Sequence, residues 1–446
     1  MGVKIPESPP EFRLLFDGID PERLGSIIAA GGSTGGKYRH WSELRHLDPP
    51  GDLSLEDWWL GIKLARMADS HPLPLRDKEG KPFTYAMPDE AQRAVHLVDQ
   101  GVAGRISISE SVVGKGNRDR YILSSLIEEA ITSSQLEGAS TSRKVAKEML
   151  RTGRAPRNRS ERMIVNNYQA MEYVRRRRDD PLDPEFVLVL HEIITRGTLD
   201  NEDEAGRLQR PDEVRVAVYS PEGEIIHRPP PAEELPSRLE AMCEFANASD
   251  EAEVRPETFM HPAVRAILLH FWVGYDHPFG DGNGRTARAL FYWSMLRQGY
   301  WLAEFLTISS ILKNAPGQYA TSYLFAETDD GDTTYFVLYQ LRVILRAMEE
   351  LQGYLRRKME ETRKTEALLR TDSGLNHRQT TLLSHALRNP DATFTVKAHS
   401  SFHNVVQATA RTDLDGLTER DLLIKNKAGR AFRYFPVPDL AEKLEK

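Results

Sequence analysis

Residues 277–288 read His-Pro-Phe-Gly-Asp-Gly-Asn-Gly-Arg-Thr-Ala-Arg, set between an apolar helical stretch ending at Tyr275 and the run Arg285 to Leu296. Gly282, Asn283 and Gly284 form a short turn opening a helix. The free N–H groups of a first turn and the positive end of the helix dipole therefore point at one spot, which attracts an anion. Arg285 and Arg288 lie three apart on one face, where cations are unfavourable unless an anion or carboxylate compensates them. Two arginines there imply something like a polyphosphate. Asp281 stands just before the turn, and a carboxylate beside bound phosphates is the usual way to hold Mg²⁺. His277, at the mouth, can act as a base near neutral pH. Phosphoryl or nucleotidyl transfer needs this set: a base for the attacking hydroxyl, a metal and a cradle for charge. Any one of these residues alone reads as ordinary packing, but the combination has a chance probability on the order of one in a billion in a chain of this length.

The segment resembles the defining motif of Fic domains, His-Pro-Phe-x-Asp/Glu-Gly-Asn-Gly-Arg-x-x-Arg, with all specified positions present. Its surroundings are similar as well: a helix opening at His261-Pro262, a hairpin before it, and Gly206-Arg207 further upstream, together covering roughly 119–350. The resemblance implies transfer of AMP from ATP to a hydroxyl of a target protein. By position it makes His277 the base for a Ser, Thr or Tyr hydroxyl attacking the α-phosphate. Asp281 becomes the holder of Mg²⁺, and Gly282, Asn283 and Gly284 the anion hole. Arg285 becomes a phosphate contact and Arg288 the partner of the γ-phosphate.

Ser133-x-x-x-Glu137-Gly138, at the end of a helix expected over 119–138, is weak evidence by itself. In this context it resembles the inhibitory helix motif of the family, in the subgroup that carries it N-terminal to the core. Glu137 also sits at a helix C-terminus before a glycine stop, where the dipole disfavours a negative charge, so a cation is expected to meet it. The family analogy makes that cation Arg288. ATP would then be held unproductively, and Glu137→Gly should raise activity.

The hairpin expected over 214–228 corresponds to the family's flap, a strand-addition surface for the target segment. Pro229, Pro230 and Pro231 limit it, because they block further pairing. Tyr319 and Tyr323 stand at helical spacing, which is more often core than a wall for a nucleotide base. The run Arg175 to Arg178 reads as a favourable helix C-terminus.

Outward from the motif, the fold class is mainly α: a Fic helical core with a hairpin flap, an N-terminal helical region and a C-terminal winged helix. Helices are expected at 54–67, 119–137, 158–177, 184–196, 232–246, 262–275, 285–298 and 335–369. The division is 1–115, in which no chemistry is legible, 116–370 as the Fic domain, and 375–446 after the linker Thr371 to Gly374. In the last part, three helices precede two strands around Gly429, which suggests a winged helix-turn-helix. Between Asn376 and Pro436 nine Lys or Arg face five Asp or Glu, and Thr409, Arg411, Lys425, Lys427 and Arg430 could meet DNA. Protein contact is an equal reading, because the surplus is modest.

The 446 residues carry 59 Lys and Arg against 66 Asp and Glu, a net charge of −7, so any nucleic-acid contact must be regional. With 40% hydrophobic and 28% charged residues, neither a disordered nor a fibrous class fits. The single Cys243 excludes an intramolecular disulfide. No N-terminal apolar run or spanning segment is present, so a cytoplasmic, membrane-free protein is expected. Two rivals remain at this stage: a de-AMPylating enzyme using the same cradle, and a DNA-binding regulator with a nucleotide-sensing core. A homodimer is implied by family analogy only.

Overall fold

The computed structural model describes residues 3–19, 21–31, 37–102, 115–220, 222–248, 259–371, 374–388, 392–428 and 431–444. Pro221 within the expected hairpin, the linker residues Asp372 and Ser373, and the turn residues Gly429 and Arg430 lie outside them. Contacts divide the chain into Met1–Leu351 and Gln352–Lys446.

The N-terminal segment forms α1 (Phe12–Asp17), α2 (Leu24–Ala30), α3 (Trp41–Leu44), α4 (Leu55–Ala68), an antiparallel pair β1 (His71–Arg76) and β2 (Pro82–Tyr85), and α5 (Asp89–Val102). Ser54 starts α4 through a reciprocal capping box with Asp57, which satisfies two orphan N–H groups. This segment is joined to the helical core rather than set apart from it. Thr84 N donates to Gly331 O at 2.9 Å and Thr333 N to Thr84 O at 2.8 Å. Buried Asp329 accepts from Lys63 Nζ at 2.7 Å and from Tyr335 Oη at 2.7 Å.

The core then runs through α6 (Lys115–Leu136), α7 (Arg143–Thr152), α8 (Arg159–Arg176) and α9 (Pro184–Thr195). Asn158 and Asp183 cap the last two. After the hairpin β3 (Val218–Tyr219) and β4 (Ile225–His227) come α10 (Leu235–Asn247), α11 (Pro262–Asp276), α12 (Asn283–Arg297), α13 (Ile308–Asn314), α14 (Pro316–Thr328) and α15 (Thr334–Thr371). Almost every residue of α11 and α12 is buried, and a helix apolar all round belongs at the centre of a core. Residues 277–282 connect these two helices. The loop is therefore held at both ends by deeply buried helices, within which the charged Arg285 and Arg288 need partners.

The hairpin is smaller than its sequence pattern suggests. Val218 pairs with His227 and Tyr219 with Ile225, while residues 214–217 form no strand. The reason lies in Gln209, whose side chain occupies backbone groups of this stretch: Nε2 donates to Val214 O at 3.3 Å and Oε1 accepts from Val216 N at 3.2 Å. The arginine run ends α8 in ion pairs: Arg175 and Arg178 reach buried Glu304 at 3.3 and 3.5 Å, and Arg177 reaches Asp180 at 2.7 Å.

The second unit holds α16 (His377–Arg388), α17 (Val396–His403), α18 (Gln407–Glu419), the antiparallel strands β5 (Leu423–Ala428) and β6 (Ala431–Pro436), and α19 (Leu440–Leu444). Leu383, Leu414, Leu417 and Tyr434 centre its own core. Among the described residues no helix is long and apolar enough to cross a membrane.

Candidate functional site

His277 follows the last turn of α11 with a left-handed backbone, φ 45° and ψ 53°, which costs a non-glycine residue about 1 kcal/mol. Arg215 offsets that cost. It donates to Asp276 O at 2.5 Å and to His277 O at 2.9 Å, setting a cation on the C-terminal carbonyls of α11. Asp276 is itself buried, with Arg238 at 2.7 Å on one oxygen and Trp272 Nε1 at 2.9 Å on the other.

Asn283 brackets the turn through its side chain: Oδ1 accepts from Phe279 N at 3.0 Å and Nδ2 donates to Phe279 O at 2.8 Å. That side chain shapes the turn, and only its backbone is left to meet an anion. Gly282 caps α12 at φ 84°, where a Cβ would lie 2.8 Å from Thr195 Cγ2. His191, which no sequence signal distinguished from a packed core histidine, holds the same loop. Gly206 N donates to its Nδ1 at 3.0 Å, so Nε2 carries the proton and donates to Asp281 O at 2.9 Å. Its ring stacks on Phe279 with centroids 3.7 Å apart. Burial pushes His191 down to about 4, which keeps the neutral form that both bonds need.

The two arginines are placed differently from each other. α12 begins at Asn283, two residues earlier than its pattern suggested, so both side chains turn inward. Arg285 is fully buried, donating to Ile194 O at 3.1 Å and lying 3.5 Å from Asp281 Oδ1; burial lowers its pKa. It fastens the loop to α9. Arg288, also buried, donates through Nε to Ser133 Oγ at 2.9 Å and through Nη2 to Ser133 O at 3.1 Å and Glu137 Oε1 at 2.8 Å. Its Nη1 has no hydrogen-bond partner among the described residues.

Glu129, Ser133 and Glu137 recur every four residues, which aligns them in one stripe along α6. Glu129 is fully buried against Ser309, and burial raises its pKa. Glu137 lies just past the end of α6, before Gly138 at φ 92°. A Cβ on Gly284 would overlap Glu137 Oε1 and stand 3.0 Å from Arg288 Nη1. The carboxylate thus rests on the first turn of α12, the place where free N–H groups attract an anion.

In front of it lies a pocket of about 210 Å³ lined by Glu137, Gly284, Val218, Ile226, His227, His277, Tyr319, Tyr323 and Glu327, among others. The structure thus brings His277, Gly284 and Glu137 to one space, with Arg288 bound to Glu137. Tyr319 and Tyr323 also line it, while Tyr319 Oη bonds His270 Nε2 at 2.8 Å. Burial lowers His277 to about 4, helped by His227 and Arg215 and opposed by the carbonyl of Gly274 and by Glu137. The imidazole is therefore neutral at neutral pH and able to take a proton. Asp281 is not part of the lining. Its Oδ1 accepts from Gly282 N at 2.5 Å, and its partly exposed Oδ2 has Arg159 at 3.9 Å.

His277 and the first turn of α12, bounded by Gly282 and Gly284, thus share one pocket inside a helical core. Residues 181–295 match the Fic/DOC family. The chain is 39% identical over 74 residues to "Protein adenylyltransferase Fic" of Nematostella vectensis, covering 17% of this chain and 16% of that protein. It is 32% identical over 123 residues to "Protein adenylyltransferase fic-1" of Caenorhabditis elegans, covering 27% and 20%. The matched stretches therefore span a fifth or less of those relatives' length. Among solved structures, a Fic family protein from Desulfovibrio desulfuricans G20 superposes with a TM-score of 0.51 at 18% identity, over 78% of this chain and 96% of that one, a likeness of fold.

Proposed function

We propose that the chain is a protein adenylyltransferase that moves AMP from ATP to a Ser, Thr or Tyr hydroxyl of a target protein, and that Glu137 holds it in check. The observation that carries this reading is the Glu137 carboxylate bound to Arg288 at 2.8 Å above Gly284. A protein anion there stands in for a ligand anion. When it leaves, Arg288 and the first-turn N–H groups become free to receive the terminal phosphate of ATP. Neutral His277 then takes the proton of the target hydroxyl, whose oxygen attacks the α-phosphorus, and pyrophosphate departs. Val218 and Ile226 of the short hairpin border the pocket, a position suited to aligning the target segment.

Asp281 fits a Mg²⁺ that also takes phosphate oxygens, since Mg²⁺ commonly uses one or two carboxylates and the Asp281 side chain is partly exposed, with Arg159 3.9 Å from Oδ2. Among the described residues no group of three or more His, Cys, Asp or Glu stands ready as a protein-only metal cage. The ion would neutralise phosphate charge. In this reading Arg285 acts by holding Asp281 and the loop rather than by touching phosphate.

Residues 116–370 are proposed as the Fic domain with its inhibitory helix, and 375–446 as a winged helix-turn-helix. Gln407, Arg411 and Thr412 are exposed on α18, but Lys425 and Arg378 are paired with Asp415 and Asp413. That pairing reduces the cationic surface for DNA and supports an enzyme-led role. The test is intact-mass analysis of Glu137→Gly and Glu137→Gly/His277→Ala proteins after incubation with Mg²⁺ and ATP. Adducts of one AMP on the first variant and none on the second support the reading; bare protein in both contradicts it.

A further inference from the structure

His227 is the last residue of β4 and is buried, and its ring joins two other elements. Nε2 lies 2.7 Å from Tyr275 O, in the last turn of α11, and Nδ1 lies 2.8 Å from Glu327 Oε2 on α14. A carbonyl oxygen only accepts, so Nε2 carries a proton. A carboxylate at Nδ1 then requires a second proton between the two groups, because a neutral ring would turn a lone pair toward an anion. His227, Glu327 and His277 all line the candidate pocket.

We propose that His227 and Glu327 form a proton-holding pair that ties the hairpin and α14 to the end of α11 and keeps His277 neutral and able to act as a base. The inference rests on the reading of His277 as that base. The pair is neither part of the motif nor in contact with the Glu137–Arg288 bridge, and it bonds to the carbonyl two residues before His277. A protonated His227 ring beside His277 opposes a second positive ring, the direction in which His227 acts on His277. Other charged or titratable groups face the two histidines from each neighbouring element. Arg215 binds the carbonyls of Asp276 and His277, and Glu137 acts on His277 from α6. The Tyr275 ring stands 5.0 Å from His227, with its hydroxyl accepting from Lys78 N at 3.2 Å, and Tyr323 lines the pocket from α14. Within that set, Glu327 is the group hydrogen-bonded to Nδ1. His227 and Glu327 are thus positioning residues.

The test is a ¹⁵N titration of the histidine rings in the full chain, for wild type, Glu327→Gln and His227→Gln. Gln at 327 can donate to Nδ1 and so removes the second proton with little change of shape; Gln at 227 keeps a donor for Tyr275 O. The expected result is a doubly protonated His227 in wild type at pH 7 and a singly protonated one in Glu327→Gln. The His277 midpoint should rise by about one unit in both variants. A singly protonated His227 in wild type, or an unmoved His277 midpoint in the folded variants, overturns the proposal. In the Glu137→Gly background, Glu327→Gln should lower AMP transfer about fivefold more at pH 4 than at pH 8. An equal loss at both pH values indicates packing alone and overturns the link to His277. If the Glu137→Gly parent itself transfers nothing, the functional reading fails, and the ring titration still decides the pair.

Discussion

Replacing Glu137 by Gln keeps the shape of the side chain and removes the charge that meets Arg288. The Arg288 side chain is almost fully buried and that of Glu137 is 32% exposed, so the bond is neither a surface ion pair of negligible effect nor a fully desolvated one. A hydrogen bond between charged groups contributes about 1.5–3 kcal/mol. At about 1.4 kcal/mol per tenfold, losing it favours the Arg288-free state by roughly ten- to a hundredfold. The same change leaves a buried guanidinium with its Ser133 contacts and a neutral amide oxygen in place of a carboxylate, so the nucleotide-free protein should also become less stable, by a few degrees in Tm. The two effects have opposite signs for function and stability, which distinguishes a brake from a structural strut. The assay pairs thermal melting, with and without Mg²⁺ and ATP, with the initial rate of AMP incorporation. The reasoning predicts a lower Tm without nucleotide, recovery with ATP, and a ten- to hundredfold faster rate. A faster rate with unchanged Tm, or a lower Tm with an unchanged rate, would refute it.

The pH dependence follows from His277. Its folded-state pKa lies near 4, so the base is free above that value and is lost as pH falls through it. The rate in the Glu137→Gly background should hold from pH 8 to about 5 and decline toward 4; an acid limb near 6.5 would count against His277 as the base. Gly284→Ala places a Cβ against Glu137 and Arg288, so it should displace the carboxylate and also obstruct the cradle. ATP binding by calorimetry should fall even when Glu137 is Gly, and unaltered binding would show that the cradle lies elsewhere. Asp329→Ala removes the carboxylate 2.7 Å from the buried Lys63 ammonium and leaves it Asp330 at 3.5 Å. Denaturant unfolding should show a loss of about 3–5 kcal/mol, and a change below 1 kcal/mol would mean that Lys63 escapes to solvent.

Much of the helical core could be read from capping residues and periodicity. Asn158, Asp183 and Ser54 cap the helices that follow them, and the chemistry of 277–288 was visible because several demanding residue types stand together. Other features had no local signal. His71-Pro-Leu-Pro-Leu-Arg76 forms β1 although two prolines cost it ladder donors, which its edge position tolerates. α14 carries pocket-lining tyrosines but shows no cap. The hairpin was overread because β-branched residues at 214–218 suggest a strand, whereas Gln209, outside that pattern, takes Val214 O and Val216 N. Burial of Arg285 was not legible either, since a cation near a helix start reads equally as ligand-facing or loop-fastening. The contact of Glu137 with Arg288 joins residues 151 apart in sequence. Local pattern showed only that Glu137 was awkward where it stood.

The most direct test of the account follows the label from ATP. Glu137→Gly protein is incubated with Mg²⁺ and ATP labelled at either the α- or the γ-phosphate, beside the Glu137→Gly/His277→Ala double variant. The account predicts protein-bound label from the α-position only, and none in the double variant. Label from the γ-position, no label from either, or label that survives loss of His277 would contradict it.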